Sequence, residues 1–333
     1  MKKPTFIDLF AGIGGIRLGF EKAGFNCVFS NEIDDHACEM YEANFGVNPK
    51  GDIKKLDAKS LPNFDVLVGG FPCQSFSICG KQKGFDDARG TLFFDVCRIL
   101  KEKSPFAFML ENVSNLEKHD KGNTFKVMYK CLTELGYFVS YKVLNARDFG
   151  VPQNRERIII VGCKEKLFDF TKLKTKRIES MKPFLDKQGD FEDLQKSEYT
   201  LIPKEHIKKQ NKSGLIFCGY RNKKMRVKGV RPGTEYLSRV HKMPNRIYSD
   251  EGTHPTIASQ ETSGRYWIYT DGKVRKLTIN ECYRFFGFPE DFKKTGLLSK
   301  QYLRIGNSVC VNMINAVACE MKAQFFGERN GTK

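Results

Sequence analysis

Thr5-Phe6-Ile7-Asp8-Leu9-Phe10-Ala11-Gly12-Ile13-Gly14-Gly15 opens the chain with an apolar run that breaks into glycines, and a helical period follows through Gly24. Branched and aromatic residues running into a glycine cluster predict a buried strand turning into a helix, where bare backbone amides can approach a ligand at the helix N-terminus. The spacing departs from G-x-G-x-x-G, so a dinucleotide is not specifically indicated. Glycines that only pack a strand against a helix would look the same.

Working outward, the same unit recurs. Residues 27–31, 64–69, 106–110, 138–145 and 157–162 are further strand candidates, and helical patterns alternate with the early ones. This rhythm predicts an α/β doubly wound sheet, which holds its ligands beyond the carboxyl ends of the strands. Polar residues stand at those ends. Glu32 follows the second strand about twenty residues after the glycines, where such folds bind a ribose diol. Gly51-Asp52-Ile53 adds an acid able to accept from an exocyclic amine beside an apolar side chain able to cover a purine. Each acid alone would pass for a solvated charge; together they predict an adenosine-bearing cofactor. With no Walker lysine, S-adenosylmethionine fits as well as NAD.

Gly69-Gly70-Phe71-Pro72-Cys73-Gln74-Ser75-Phe76-Ser77 puts a thiol at the end of the third strand. A buried structural cysteine is the plain reading for most of the other ten, but a core cysteine rarely has such polar neighbours. Glu111, in Met109-Leu110-Glu111-Asn112-Val113, closes the next strand and could donate to a ring nitrogen if burial raises its pKa. Gln153-Asn154-Arg155-Glu156-Arg157 precedes another strand. Its arginines are either a surface pair with Glu156 or, at the sheet edge, ligands for a carbonyl oxygen or a phosphate.

With 333 residues, 40% of them hydrophobic, the chain can bury one large core and a smaller second one. No run of eighteen apolar residues and no signal peptide is visible, so a soluble cytoplasmic protein without a membrane partner is expected. The eleven cysteines nowhere form CxxC spacing, which predicts reduced thiols and no metal site. The net charge of +17 and a pI near 9.3 predict a polyanionic partner. Residues 164–276 carry 26 Lys and Arg against 14 Asp and Glu, so most of that excess sits in one stretch. There the α/β rhythm fails and short strands and loops are expected; helical patterns return at 277–288 and 312–325. The expected domains are 1–190 for catalysis and cofactor, a basic 191–272 for target recognition, and 273–333 as a hinge helix returning to the first.

In this order the motifs resemble those of the DNA (cytosine-5) methyltransferases, particularly the modification enzymes of bacterial type II restriction systems. Residues 8–15 resemble the cofactor loop, 69–77 the nucleophile motif, 111–113 the acid motif, 153–157 the QxRxR motif, 275–289 a packing motif, and Tyr302 with 306–309 the last motif. Residues 80–85 and 89–94 look like the loop that closes over a flipped base, and 255–257 like a dipeptide of the recognition domain. The resemblance implies a Rossmann-like S-adenosylmethionine-dependent sheet with a smaller target-recognition domain, acting as a monomer on double-stranded DNA and paired with a restriction endonuclease. It makes Cys73 the nucleophile, with Glu111 on the ring nitrogen and exocyclic amine, Arg157 on the ring oxygen, and Arg155 steadying the thiolate or a phosphate. For the cofactor it implies Phe10 against adenine, Gly12 and Gly14 by the methionine part, Glu32 on the ribose, Asp52 and Ile53 on the base, and Pro72, Leu92 and Asn307 completing the pocket. A tRNA cytosine methyltransferase, a binding module without catalysis and an NAD oxidoreductase resting on the glycine loop alone are the competing readings. The distinct recognition domain disfavours the first, and Cys73, Glu111 and Arg157 together disfavour the second.

Overall fold

In the computed structural model the described residues are 3–72, 92–223, 233–259 and 265–327. The strands are β1 (Thr5–Leu9), β2 (Asn26–Asn31), β3 (Val66–Gly70), β4 (Ala107–Val113), β5 (Phe138–Asn145), β6 (Gln153–Asn154), β7 (Glu156–Cys163), β8 (Asp193–Leu194), β9 (Tyr199–Leu201), β10 (Phe217–Arg221), β11 (Arg246–Ser249), β12 (His254–Pro255), β13 (Trp267–Thr270) and β14 (Lys273–Arg275). The helices are α1 (Gly15–Lys22), α2 (Asp35–Phe45), α3 (Leu92–Lys103), α4 (Asn123–Glu134), α5 (Ile279–Arg284), α6 (Leu298–Asn307) and α7 (Val311–Phe326).

Two compact units form. The first takes Met1–Leu144, Glu156–Lys174 and Val311–Lys333; the second takes Asn145–Arg155 and Thr175–Cys310. This division differs from boundaries at 190 and 272. Residues 145–155 and 273–310 belong with the basic stretch, because the chain crosses between the units four times rather than twice.

In the first unit the sheet order is β2-β1-β3-β4-β7-β5, with β1 parallel to β2 and β3, β3 parallel to β4, and β7 antiparallel to β4. The chain runs out to β2 and then returns past β1 to β3, so the switch point lies between β1 and β3, where open sheets of this kind bind ligands. Val66, Leu67, Val68 and residues 107–110 are wholly buried, as expected of central strands covered on both faces. Alternation sends Ile7, Leu9, Leu67, Phe108 and Ile160 toward one face, where they share a core with Phe93 and Val96 of α3 and Met128 of α4. On the other face Phe6 meets Phe20 of α1 at 5.2 Å. Gly19 lets α1 approach α7 closely: a Cβ there would stand 2.6 Å from Cγ2 of Ile314, and Asn315 Nδ2 donates to the Gly19 carbonyl.

The second unit has a sheet of order β8-β14-β13-β11-β10-β9 around a small core of Cys218, Ile247, Trp267 and Val274. A parallel pair joins β6 to β12 through Gln153 with His254 and Asn154 with Pro255. The helical period at 277–288 gives only α5, which opens on a Thr278–Glu281 capping box and stops before Gly287, whose φ of 77° is left-handed. Among the described residues no helix is long and apolar enough to cross a membrane, and no His, Cys, Asp and Glu cluster is suited to a metal.

Candidate active site

The first unit builds its loop after β1 from strained backbone. Phe10 has φ 56°, unusual for a residue with a Cβ, and Gly12 and Gly14 have φ 54° and 89°. A Cβ on Gly12 would meet nothing within 4 Å, so the loop leaves open space there, whereas one on Gly14 would enter the Phe45 ring at 2.2 Å. The loop is fixed from β2. Ala11 N donates to the Asn31 carbonyl at 3.0 Å and Gly12 N to Glu32 Oε2 at 2.8 Å. Glu32 Oε1 also accepts from the Ile33 and Asp34 amides at 2.8 and 2.9 Å. Glu32 is thus a fastener of the glycine loop as well as a half-buried strand-end carboxylate, a role its place in the sequence did not disclose. Ile33 beside it is 61% exposed.

Asp52 caps a short turn by accepting from Lys54 N at 3.0 Å, and Ile53 behind it belongs to the main core. Pro72 is exposed just beyond β3, and Leu92 packs half-buried at the start of α3. These residues and the glycine loop all lie in the first unit. Asn307, at the end of α6, is exposed in the second. Cys73 and residues 80–91 of the expected closing loop lie outside the described residues, as do 224–232 of the basic stretch.

Glu111 and Arg157 meet at the sheet end. They come from antiparallel neighbours β4 and β7, Arg157 Nε lies 2.9 Å from Glu111 Oε1, and both side chains are almost enclosed. Burial pushes the Arg157 guanidinium below its ordinary pKa, and Glu111 opposes that shift. Arg157 Nη1 also donates to the Glu156 carbonyl at 2.8 Å, which sets its direction. Gly70 is the register partner of Glu111, and a Cβ there would stand 3.1 Å from Oε2, a tight approach that the carboxylate would have to yield to by a few tenths of an ångström. Buried Asn112 donates from Nδ2 to the Phe71 carbonyl at 2.9 Å, tying down the segment that leads to Cys73. This positioning bond was missed in the sequence; its signal is a short amide side chain directly after the acid on a buried strand.

Arg155 belongs to the second unit. It is 1% exposed in the second unit, with Nη1 donating to the Ile257 carbonyl and Nη2 to those of Gly306 and Ser308, its plane 4.7 Å over Phe286. Its guanidinium clamps three backbone carbonyls from distant parts of that unit. Gln153 works alongside, donating to the Phe285 carbonyl and accepting from Ile257 N.

Comparisons with known proteins identify the family. Residues 4–323 match the family described as C-5 cytosine-specific DNA methylase. The chain is 40% identical over 322 residues to the Type II methyltransferase M.HhaI of Haemophilus parahaemolyticus, covering 94% of this chain and 92% of that protein. It is 42% identical over 321 residues to the Type II methyltransferase M.HaeII of Haemophilus aegyptius, covering 96% and 93%. Its fold is shared with the S. pombe Dnmt2 methyltransferase, at a TM-score of 0.69 and 17% identity over 98% of this chain and 100% of that one. The Entamoeba histolytica methyltransferase EhMeth gives 0.67 and 17% over 97% and 99%. The chain belongs to the C-5 cytosine-specific DNA methylase family and is a DNA (cytosine-5-)-methyltransferase.

Proposed function

We propose that the protein transfers the methyl group of S-adenosylmethionine to carbon 5 of a flipped-out cytosine within a short specific sequence of duplex DNA, through a covalent bond between Cys73 and carbon 6. The observation that carries this reading is the Glu111–Arg157 pair. Cytosine presents its ring oxygen, N3 and exocyclic amine along one edge, and a guanidinium beside a carboxyl group is complementary to that edge. Carbon 5 is too electron-poor to attack a methyl sulfonium unaided. Addition of the Cys73 thiolate to carbon 6 sends electron density to N3 and O2, where Glu111 and Arg157 receive it. Carbon 5 then takes the methyl group, its proton leaves to solvent, and elimination of the thiolate restores the ring. A stacked base is out of reach, so the cytosine must leave the helix at a cost of a few kcal/mol.

The open, left-handed backbone at Gly12 and the Glu32 carboxylate fit an adenosyl donor carrying a ribose diol. When bound, that donor supplies an electrophilic methyl group; Gly12, Gly14, Phe10, Glu32, Asp52, Ile53, Pro72, Leu92 and Asn307 would hold it. Residues 191–272 of the basic stretch read the target, with phosphates held by residues such as Arg221 and Lys223. The protein acts as a cytoplasmic monomer and protects host DNA from a companion restriction endonuclease. Tritiated methyl transfer to duplex DNA, compared with tRNA, tests the substrate, and preference for tRNA would overturn it. Cys73→Ser should abolish transfer while duplex binding persists; surviving activity would remove the covalent route.

A further inference from the structure

Asp8 is wholly buried in β1, one residue before the strand ends, and neither carboxylate oxygen has a hydrogen-bond partner among the described residues. A buried acid without a partner is expensive, and the chemistry proposed above makes no use of this one. The charged and titratable groups around it come from three elements: Arg17 and Glu21 of α1, Cys27 of β2 with Glu32 just beyond it, and Tyr41 of α2. All but Asp8 have found other partners. Arg17 Nε bonds Glu21 at 2.8 Å and Nη1 bonds the Tyr41 hydroxyl at 3.0 Å, while the guanidinium lies 4.4 Å over Phe45. The Tyr41 hydroxyl is 2.5 Å from Ser30 Oγ, which meets Cys27 Sγ at 3.3 Å. Glu32 holds the Gly12 amide. Desolvation raises the Asp8 pKa to about 8 and Glu32 adds to this, although the Arg17 charge and backbone amide oppose it.

The position gives this acid a purpose. β1 runs from Asp8 straight into the glycine loop, the part of the chain assigned above to the methyl donor. The donor carries a sulfonium cation and its product a neutral thioether, so one positive charge distinguishes two otherwise similar molecules. We propose that Asp8 is the buried counter-charge for that sulfonium: it ionises when the cationic donor occupies the glycine loop and is protonated again when the neutral product takes its place. The inference rests on the S-adenosylmethionine reading. Donor binding releases the Asp8 proton to solvent, and conversion of sulfonium to thioether takes one back. The proton lost from carbon 5 is separate.

Titration calorimetry on the full chain tests this, with S-adenosylmethionine and S-adenosylhomocysteine at pH 7 in two buffers of different ionisation enthalpy. The donor should release about half a proton or more beyond the product, and its preference over the product should rise roughly tenfold from pH 6 to pH 8. In Asp8→Asn both differences should vanish. Equal proton counts for the two ligands in the unaltered protein would overturn the proposal, and so would a difference that survives in Asp8→Asn. The first comparison needs no variant to fold. If neither ligand binds, the donor reading falls and this inference falls with it, a result distinct from binding without the proton difference.

Discussion

Glu111 and Asp8 are both buried acids near the ends of neighbouring regions of one sheet, and the sheet treats them in opposite ways. Glu111 on β4 faces Arg157 at 2.9 Å, while Asp8 on β1 has no partner for either oxygen among the described residues. A buried charge is tolerated when a counter-charge is built in, and is otherwise neutralised by a proton. On the proposed mechanism the β4 end suits a neutral heterocycle that needs both a donor and an acceptor. The β1 end is made for a ligand that brings its own positive charge.

Glu111→Gln should give the largest effect, since it keeps the shape of the side chain and removes the carboxyl chemistry. On the proposed mechanism, single-turnover methyl transfer falls by about 10²- to 10⁴-fold with circular dichroism unchanged. A loss smaller than about threefold would mean that the pair is structural and that the comparison with Asp8 has no catalytic content. The next test separates charge from chemistry. Arg157→Met leaves Glu111 enclosed without its cation and should destabilise the first unit by about 3 kcal/mol, seen as a lower urea midpoint. Adding Glu111→Gln to it should restore most of that stability, because the uncompensated charge is then gone. If the two losses simply add, the pair is not coupled.

The sheet was legible because its central strands are apolar runs, at 5–10, 64–69, 106–110 and 157–162. The division of the chain into units was not. Nothing local marks 145–155 or 273–310 as belonging with the basic stretch, since that membership depends on bonds such as Arg155 to Ile257, Gly306 and Ser308. Arg155 and Arg157 look alike in the motif yet fall in different units, one closing backbone carbonyls and the other meeting a carboxylate. The composition of a five-residue motif carries no information on which arginine faces which partner. Glu32 was legible as a strand-end acid, but its bond to Gly12 N required the loop to fold back on β2. Asp8 was read only as part of the glycine motif, because burial without a hydrogen-bond partner among the described residues is a property of the packed state.

Asp8→Asn acts with a sign opposite to that of the others. The folded pKa of about 8 stands above the ordinary value of 3.8, so between these limits the native state holds a proton that the unfolded chain has lost. Stability then falls as pH rises, by at most about 1.4 kcal/mol per pH unit for one such group, and the loss is complete above the folded pKa. Below about pH 4 both states are protonated and the term disappears. Asparagine carries no proton to lose, so the variant should match the parent at low pH and become progressively more stable than it from pH 5 to pH 8. Thermal melts across that range check the direction. A variant that gains nothing toward pH 8 would mean that Asp8 is already ionised in the free protein and balanced by Arg17, making the two acids of the sheet alike after all.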